Sequence, residues 1–223
     1  MTRFPRNARF APHAAWLALI VLAGCQTPPS ATAPAPSTAE PAAPAPAAAA
    51  QDSLARAQAA AQAFSGRLRG TLQAAVQAGG AEAAVDVCHS AAPAIAEEVM
   101  REHGVRLGRV ALPGRNRNPG QAAQGWQHEA LLEFERAVQA GAPAAAQASV
   151  RRDGLPVGVA LRMVRGIPTE PGCLACHGRE VAPAVKAAIA RHYPGDAATG
   201  FDVGGLRGAL WVEVPAAGNA GME

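Results

Sequence analysis

A proline- and alanine-rich tract near the N-terminus is the feature that most restricts how this 223-residue chain can fold. Residues 26–50 contain only Ala, Pro, Ser, Thr, Gln and one Glu, so they offer no large side chains for a hydrophobic core. The prolines favour extended polyproline-II structure, which is typical of a spacer rather than of a globular domain. The folded domain is therefore expected over residues 51–215, followed by a flexible tail over residues 216–223.

The segment before this tract has the order of regions found in an export signal. Three arginines precede the apolar stretch AAWLALIVL, which is too short to form a stable membrane-spanning helix. The next residues, LAGC (22–25), resemble the lipobox of bacterial lipoproteins, in which the cysteine, here Cys25, is lipidated and becomes the new N-terminus. Residues 1–24 are therefore predicted to be a lipoprotein signal peptide, and residues 25–50 to be the lipidated cysteine and a linker. Gln26 replaces the aspartate associated with inner-membrane retention, which favours a lipid anchor on the periplasmic side of the outer membrane.

The net charge gives no sign of a nucleic-acid partner. The formal charge is +3, but Arg3, Arg6 and Arg9 all lie within the predicted signal peptide. Without that segment the chain has 17 basic and 17 acidic residues, because it loses three of its 20 basic residues and none of its 17 acidic ones. No nucleic acid is therefore expected among the partners.

The spacing of apolar residues after the linker predicts long helices followed by short strands. Apolar residues recur at helical spacing from Leu54 to Val76, and Gly79-Gly80 ends that run. A second helix is expected over 85–99, with a kink or break at Pro93, which has no N–H to donate. Further patterned segments are the helices over 126–138 and 179–193 and the strands over 105–112, 157–163 and 206–214. This order predicts an α+β fold with a small antiparallel sheet.

The run PGCLACHGRE (171–180) contains two of the four cysteines, separated by two residues, with a histidine directly after the second. A structural zinc site needs four ligands, usually in two pairs, and this chain has one such pair. A dithiol that forms a disulfide is a second alternative, but it gives His177 no role. Covalent attachment of a c-type haem uses every residue, because Cys173 and Cys176 lie on one side of a helical turn and His177 can ligate the iron. One covalent haem c is the favoured interpretation, and a lipoprotein with zinc or a disulfide and no haem is the alternative.

The remaining cysteine, Cys88, lies on the apolar face of the second predicted helix. Packing in the core is the simpler role for such a thiol, but a thiolate is also a strong ligand for haem iron. His89 follows at about 100° around the helix, so the two side chains are not expected to face the same iron. The alternatives to Cys88 for the second axial position are His89 and His128, followed by His103, Met100 and Met163.

Four segments of the chain resemble a bacterial family of c-type haem domains that has long been a domain of unknown function. These segments are AVDVCHSAAPAIAEEV (84–99), RNRNPG (115–120), PGCLACHG (171–178) and HYPGDAATGFDVGGLRGALWVEVP (192–215). The resemblance covers residues 52–215, and the order of these individually modest motifs makes it specific. It implies a PAS-like sheet with long N-terminal helices, one haem, and an iron held by His177 on one side and by Cys88 on the other.

The sequence as a whole predicts an exported, membrane-tethered monohaem c-type cytochrome that acts in electron transfer or in redox or gas sensing. Thiolate ligation by Cys88 would lower the reduction potential, and loss of that ligand on reduction would open the iron to a small gaseous ligand. The expected partners are the membrane, through the lipid anchor, and a redox protein that the sequence does not identify. Arg115 and Arg117 are candidates to pair with the haem propionates, whereas Arg207 is assigned to the polar face of the last strand with Glu213. No arrangement of acid and base groups indicates an enzyme.

Overall fold

The computed structural model describes residues 46–217. The predicted signal peptide, Cys25 and most of the predicted linker lie outside the described residues, as do residues 218–223 of the predicted tail. The first helix begins at Pro46, five residues before the predicted start of the domain at residue 51. Four alanines follow Pro46, and this start is favourable because alanine is the strongest helix former and proline is tolerated in the first turn.

The N-terminal helices form one layer of the domain. Helix α1 (Pro46–Asp86) is interrupted at Gly79 and Gly80, and the positive φ of 74° at Gly80 is a backbone conformation that favours glycine. A π-helical segment (Val87–Ala91) then leads into helix α2 (Ala92–His103), with Pro93 in its first turn. The irregularity expected at Pro93 is confirmed, and it takes the form of a wider helical turn just before the proline.

Four strands form one antiparallel sheet in the order β1-β4-β3-β2. Their bounds are Arg106–Val110 (β1), Ala148–Arg151 (β2), Val159–Pro168 (β3) and Leu206–Pro215 (β4). Strands β1, β3 and β4 match the three predicted strands. Strand β2 has no counterpart among the predictions, because it is a short, largely exposed edge strand without apolar alternation.

Three further helices connect the strands: α3 (Gly125–Gln139), α4 (Leu174–His177) and α5 (Pro183–His192). Short 3-10 turns lie at Pro119–Gln121, Ala144–Ala146 and Pro171–Cys173. Within residues 46–217, none of the helices has both the length and the apolar character that a membrane span requires.

The sheet separates two apolar clusters. Leu107, Met163 and Val212 face α1 and α2 and pack against Phe64 and Val99. The opposite face packs against α3, through Val110, Val164, Ala209, Ala130 and Phe134. Successive side chains along each strand lie on opposite faces of the sheet. Because these strands have apolar residues at both kinds of position, both faces of the sheet are buried. The predicted α+β fold, with a long N-terminal helix and a small antiparallel sheet, is confirmed.

Strand β4 contains a β-bulge at Arg207. Ile167 of β3 is paired with Gly208 and Pro168 with Leu206, so the intervening Arg207 has no partner on β3. An extra residue of this kind breaks the alternation of side chains, as bulges next to functional sites often do. Arg207 therefore faces the side of the sheet on which Phe64 lies, and its assignment to a polar face with Glu213 is wrong. Glu213 instead pairs with Arg162 and Arg106.

Gly208 is required where β4 passes β1. A Cβ atom at this position would meet the carbonyl oxygen of Val110, which belongs to the backbone and cannot move aside cheaply. Gly208→Ala is therefore expected to lower the free energy of unfolding by about 1–3 kcal/mol, measured by urea denaturation.

The matched control for this substitution is Gly66→Ala. Gly66 lies in α1 with open space around its missing Cβ, so alanine should raise the free energy of unfolding by roughly 0.5–1 kcal/mol. An unchanged stability of Gly208→Ala would show that β1 and β4 do not approach this closely.

Candidate functional site

A cavity of about 290 Å³ lies between the helical layer and the sheet, close to the bulge in β4. Its apolar walls include Phe64, Ala92 and Ile167, while polar groups reach it from the π-helical segment, β1, β4 and α4. Those groups include Cys88, His89, Arg109, His177 and Arg207. A mostly apolar cavity with a few convergent polar groups is the ordinary form of a cofactor or ligand site.

The two motif cysteines lie on a 3-10 turn that continues into α4. Cys173 ends the turn and Cys176 lies within α4, so the two thiols are about one helical turn apart. Both are free and half-buried. Gly178 ends α4, and a Cβ there would lie 2.7 Å from the carbonyl oxygen of Leu174. This close approach explains why glycine follows the motif histidine.

His177 has a fixed tautomer. Its Nδ1 lies 2.7 Å from the carbonyl oxygen of Ala198, which can only accept, so Nδ1 carries the proton. Its Nε2 lies 3.0 Å from a terminal nitrogen of Arg207, which can only donate, so Nε2 presents its lone pair towards the cavity. Burial, together with the positive charges of Arg207 and Arg117, lowers the pKa of His177 to about 3. This neutral imidazole, with Nδ1–H bound to a backbone carbonyl, is the form that metal-binding histidines adopt.

Arg117 and Asp196 hold the surroundings of His177 in place. The Arg117 side chain is 8% exposed, and its Nε donates to a carboxylate oxygen of Asp196 at 3.0 Å. A terminal nitrogen of Arg117 also donates to the carbonyl oxygen of Cys176 at 2.8 Å. Asp196 in turn accepts from the backbone N–H of Ala198 at 3.0 Å. The pair thus joins the backbone of the cysteine motif to the turn whose carbonyl orients His177.

The arginines predicted to bind propionates already have protein partners. Arg117 is held by Asp196 and Cys176, as described above. Arg115 donates to a carboxylate oxygen of Glu135 at 2.9 Å and to the carbonyl oxygen of Leu206 at 3.3 Å. Both arginines border the cavity, but their hydrogen-bonding groups are engaged within the protein.

Two further arginines, which the sequence did not predict to bind propionates, have no carboxylate partner among the described residues. Arg109 and Arg207 line the cavity, and no carboxylate within residues 46–217 pairs with either of them. The Nε of Arg207 is buried without a hydrogen-bond partner. Arg109 lies two residues after the buried Leu107 on β1, so the alternation of side chains along the strand could have predicted that it faces inward. The bulge that turns Arg207 inward has no comparable signal in the sequence.

Cys88 and His89 both border the cavity, although adjacent residues of an α-helix were expected to face different directions. They lie in the π-helical segment, whose wider turn changes the angle between neighbouring side chains. Cys88 is half-buried, whereas His89 is exposed and its ring stacks on His192 with centroids 4.5 Å apart. His192 also contacts Asp86, at 2.7 Å. Of the two candidate ligands, Cys88 is therefore the one whose side chain has no stacking contact of this kind.

The other candidate ligands lie away from the cavity. His128 is on α3, against the opposite face of the sheet, and Met163 is 2% exposed within the apolar cluster under α1. Neither they nor His103 and Met100 line the cavity. Across residues 46–217, no group of three or more His, Cys, Asp or Glu side chains is arranged to hold a metal ion.

Comparison with known proteins assigns the chain to a family. It belongs to the Tll0287-like family, whose model matches residues 39–215, and the resemblance predicted from the sequence is confirmed. Among solved structures, it is similar to the cyanobacterial heme-protein Tll0287, with 31% identity over 56% of this chain and 70% of that chain, and a TM-score of 0.45. No curated protein matches the chain significantly.

The low pKa of His177 gives the unloaded protein a specific dependence on pH. The folded-state pKa of about 3 lies below the ordinary value of 6.5, so between these values the unfolded chain binds more protons. Stability present at pH 7 is therefore expected to fall as the pH drops below 6.5, by at most about 1.4 kcal/mol per pH unit from this group. Urea denaturation between pH 7 and pH 5 measures this slope.

The control is His177→Gln, which retains a side-chain N–H but does not titrate. This variant should lose that part of the slope while keeping the contribution of the other groups. Equal slopes in the two proteins would show that His177 is not held neutral.

Proposed function

We propose that this chain is a haem-binding protein of c type, in which Cys173 and Cys176 attach one haem covalently and His177 is an axial ligand. The observation that carries the proposal is the state of His177. Its Nδ1–H is bound to the carbonyl oxygen of Ala198, and its Nε2 keeps a lone pair, which accepts from Arg207 at a largely apolar cavity. The two free thiols of Cys173 and Cys176 lie in the turn and short helix that lead directly to His177. Family membership and the order of the motif residues support the same assignment.

The cysteine motif and the residues that line the cavity fit such a cofactor in their chemistry. Two thiols one turn apart suit the two vinyl groups of the porphyrin, and the apolar wall residues suit its ring. Half-buried arginines provide positive charge for the propionates, and the Nε of Arg207 still needs an acceptor. Arg117 and Asp196 keep the motif backbone and the His177 ring in a fixed relation before any cofactor arrives.

Cys88 is proposed as the second axial ligand, as the family resemblance implies. It reaches the same cavity as His177 but comes from the helical layer, on a π-helical segment of the kind that often marks functional sites. When bound, the haem supplies one-electron redox chemistry and a coordination position for small molecules. A Cys88 thiolate favours the ferric state and so keeps the reduction potential low. Its release would free that position for a gas such as CO or NO.

The cellular role follows from the N-terminal segment, which lies outside the described residues. A signal peptide over residues 1–24 and lipidation of Cys25 would anchor the protein at the periplasmic side of the outer membrane. The linker would then hold the domain away from the bilayer, within reach of a partner redox protein. Electron transfer is the first role proposed for it. Redox or gas sensing is the second, and the location of Cys88 on an irregular helical segment favours it.

Covalent attachment is tested by expressing the full chain together with a c-type haem maturation system. The wild type should give a haem-stained band on a denaturing gel, because thioether bonds survive denaturation. Cys173→Ala with Cys176→Ala should abolish the stain, whereas Cys88→Ala should keep it, since Cys88 forms no thioether. A colourless wild-type band would overturn the proposal in favour of a lipoprotein without haem.

The second ligand is tested by ferric spectra and reduction potentials of the loaded protein. Cys88→Ala should remove the low-spin thiolate spectrum and raise the potential, because a neutral or absent ligand no longer favours the ferric state. His89→Ala is the matched control, since it changes the neighbouring residue on the same cavity wall. If His89→Ala altered the low-spin spectrum and Cys88→Ala did not, the ligand assignment would be wrong.

A further inference from the structure

We propose that Arg109 and Arg207, rather than Arg115 and Arg117, form the carboxylate-binding pair of the cavity and receive the propionates of the haem. This inference rests on the proposed function and adds to it the residues that recognise the acidic edge of the cofactor. It predicts that the protein distinguishes a porphyrin with free carboxylates from one in which they are blocked.

Arg207 is placed for this role by the bulge in β4. The extra residue turns its side chain into the cavity, where its Nε is buried without a partner. A terminal nitrogen donates to Nε2 of His177 at 3.0 Å. Iron uses the same lone pair of Nε2, so this hydrogen bond cannot persist once His177 is a ligand. The guanidinium then needs another acceptor in the cavity.

Arg109 brings a second positive charge to the same cavity. Its guanidinium lies 5.9 Å from the centre of the Phe64 ring, and no carboxylate within the described part of the chain pairs with it. Burial, and next the positive charge of Arg207, lower the pKa of Arg109. Two like charges in one cavity destabilise each other, so a ligand with negative charge is stabilised there.

The nearby acidic groups do not provide that negative charge. Asp196 and Glu135 are bound to Arg117 and Arg115, and Glu170 lies 3.6 Å from Arg69. Burial lowers the pKa of Arg207, and the nearby groups that would oppose this most, if they were negatively charged, are Cys173 and Cys88. In the proposed function Cys173 becomes a neutral thioether and Cys88 is committed to the iron. Carboxylates brought by the cofactor are then the remaining match for the planar guanidinium groups.

The test compares two porphyrins that cannot form thioethers: ferric mesohaem, which has ethyl groups in place of vinyls, and its dimethyl ester. Both are titrated into the unloaded full chain, and the dissociation constants are measured by absorbance. The wild type should bind the free acid at least roughly tenfold more tightly than the ester, since hydrogen bonds to charged groups are strong. Arg109→Met with Arg207→Met should remove that preference.

Two control variants sharpen the comparison. Arg165→Met removes one charge from an exposed position on β3 and should keep the preference for the free acid. Arg207→Lys keeps the charge without the planar fork and should keep part of it. If the wild type bound both porphyrins equally, the inference would fail and the proposed function would stand. If it bound neither porphyrin, the proposed function itself would fail.

A second measurement needs no porphyrin. In the unloaded protein, Arg207 is a charged group with a buried, unpartnered Nε, which costs stability. Arg207→Met should therefore raise the midpoint of thermal unfolding, by about 2–4 °C for a chain of this size. A lower midpoint would show that the hydrogen bond from Arg207 to His177 outweighs the cost of the unpartnered Nε, so that Arg207 is already satisfied in the unloaded protein, and it would overturn the inference.

Discussion

The hydrogen bond from Nδ1 of His177 to the carbonyl oxygen of Ala198 is the contact on which the site depends. It fixes which ring nitrogen keeps its lone pair, and it turns that nitrogen towards the cavity. Ala198 is itself held by Asp196, which accepts from its backbone N–H, and Asp196 is held by Arg117. Arg117 then returns to the motif through the carbonyl of Cys176. This closed set of contacts lets a short motif of four helical residues present its histidine in one orientation.

The sequence predicted helices and strands best where burial gives their apolar residues a regular spacing. The helices before Gly79-Gly80 and after residue 84, and the strands β1, β3 and β4, all have one or two faces against apolar neighbours, so their patterns were visible. Strand β2 is an exposed edge strand, and exposure removes the pattern. The alanines at 47–50 suit both a spacer and a helix, so the sequence alone did not indicate that helix α1 includes them.

The sequence predicted candidate ligands that share one cavity, but it did not predict which arginines of that cavity have acidic partners. Cys88 and His177 were found from a motif, an apolar helix face and a family resemblance, and the structure brings both to one cavity. Arg115 and Arg117 were predicted to bind propionates because guanidinium groups match carboxylates, but their carboxylate partners in the fold, Glu135 and Asp196, come from distant parts of the chain. Such pairings depend on tertiary structure. The inward direction of Arg207 depends on one unpaired residue in a strand, which leaves no periodic trace.

The two sides of the cavity come from distant parts of the chain, and this has a consequence for folding. Cys88 belongs to the helical layer, whereas His177 lies in the segment that joins β3 to α5. Any group that binds both side chains at once closes a loop from residue 88 to residue 177. Such a closure acts as a cross-link does: it removes conformations from the unfolded ensemble as well as adding contacts to the folded one. A cofactor bound by both side chains would therefore stabilise the fold as a cross-link over about half of the domain.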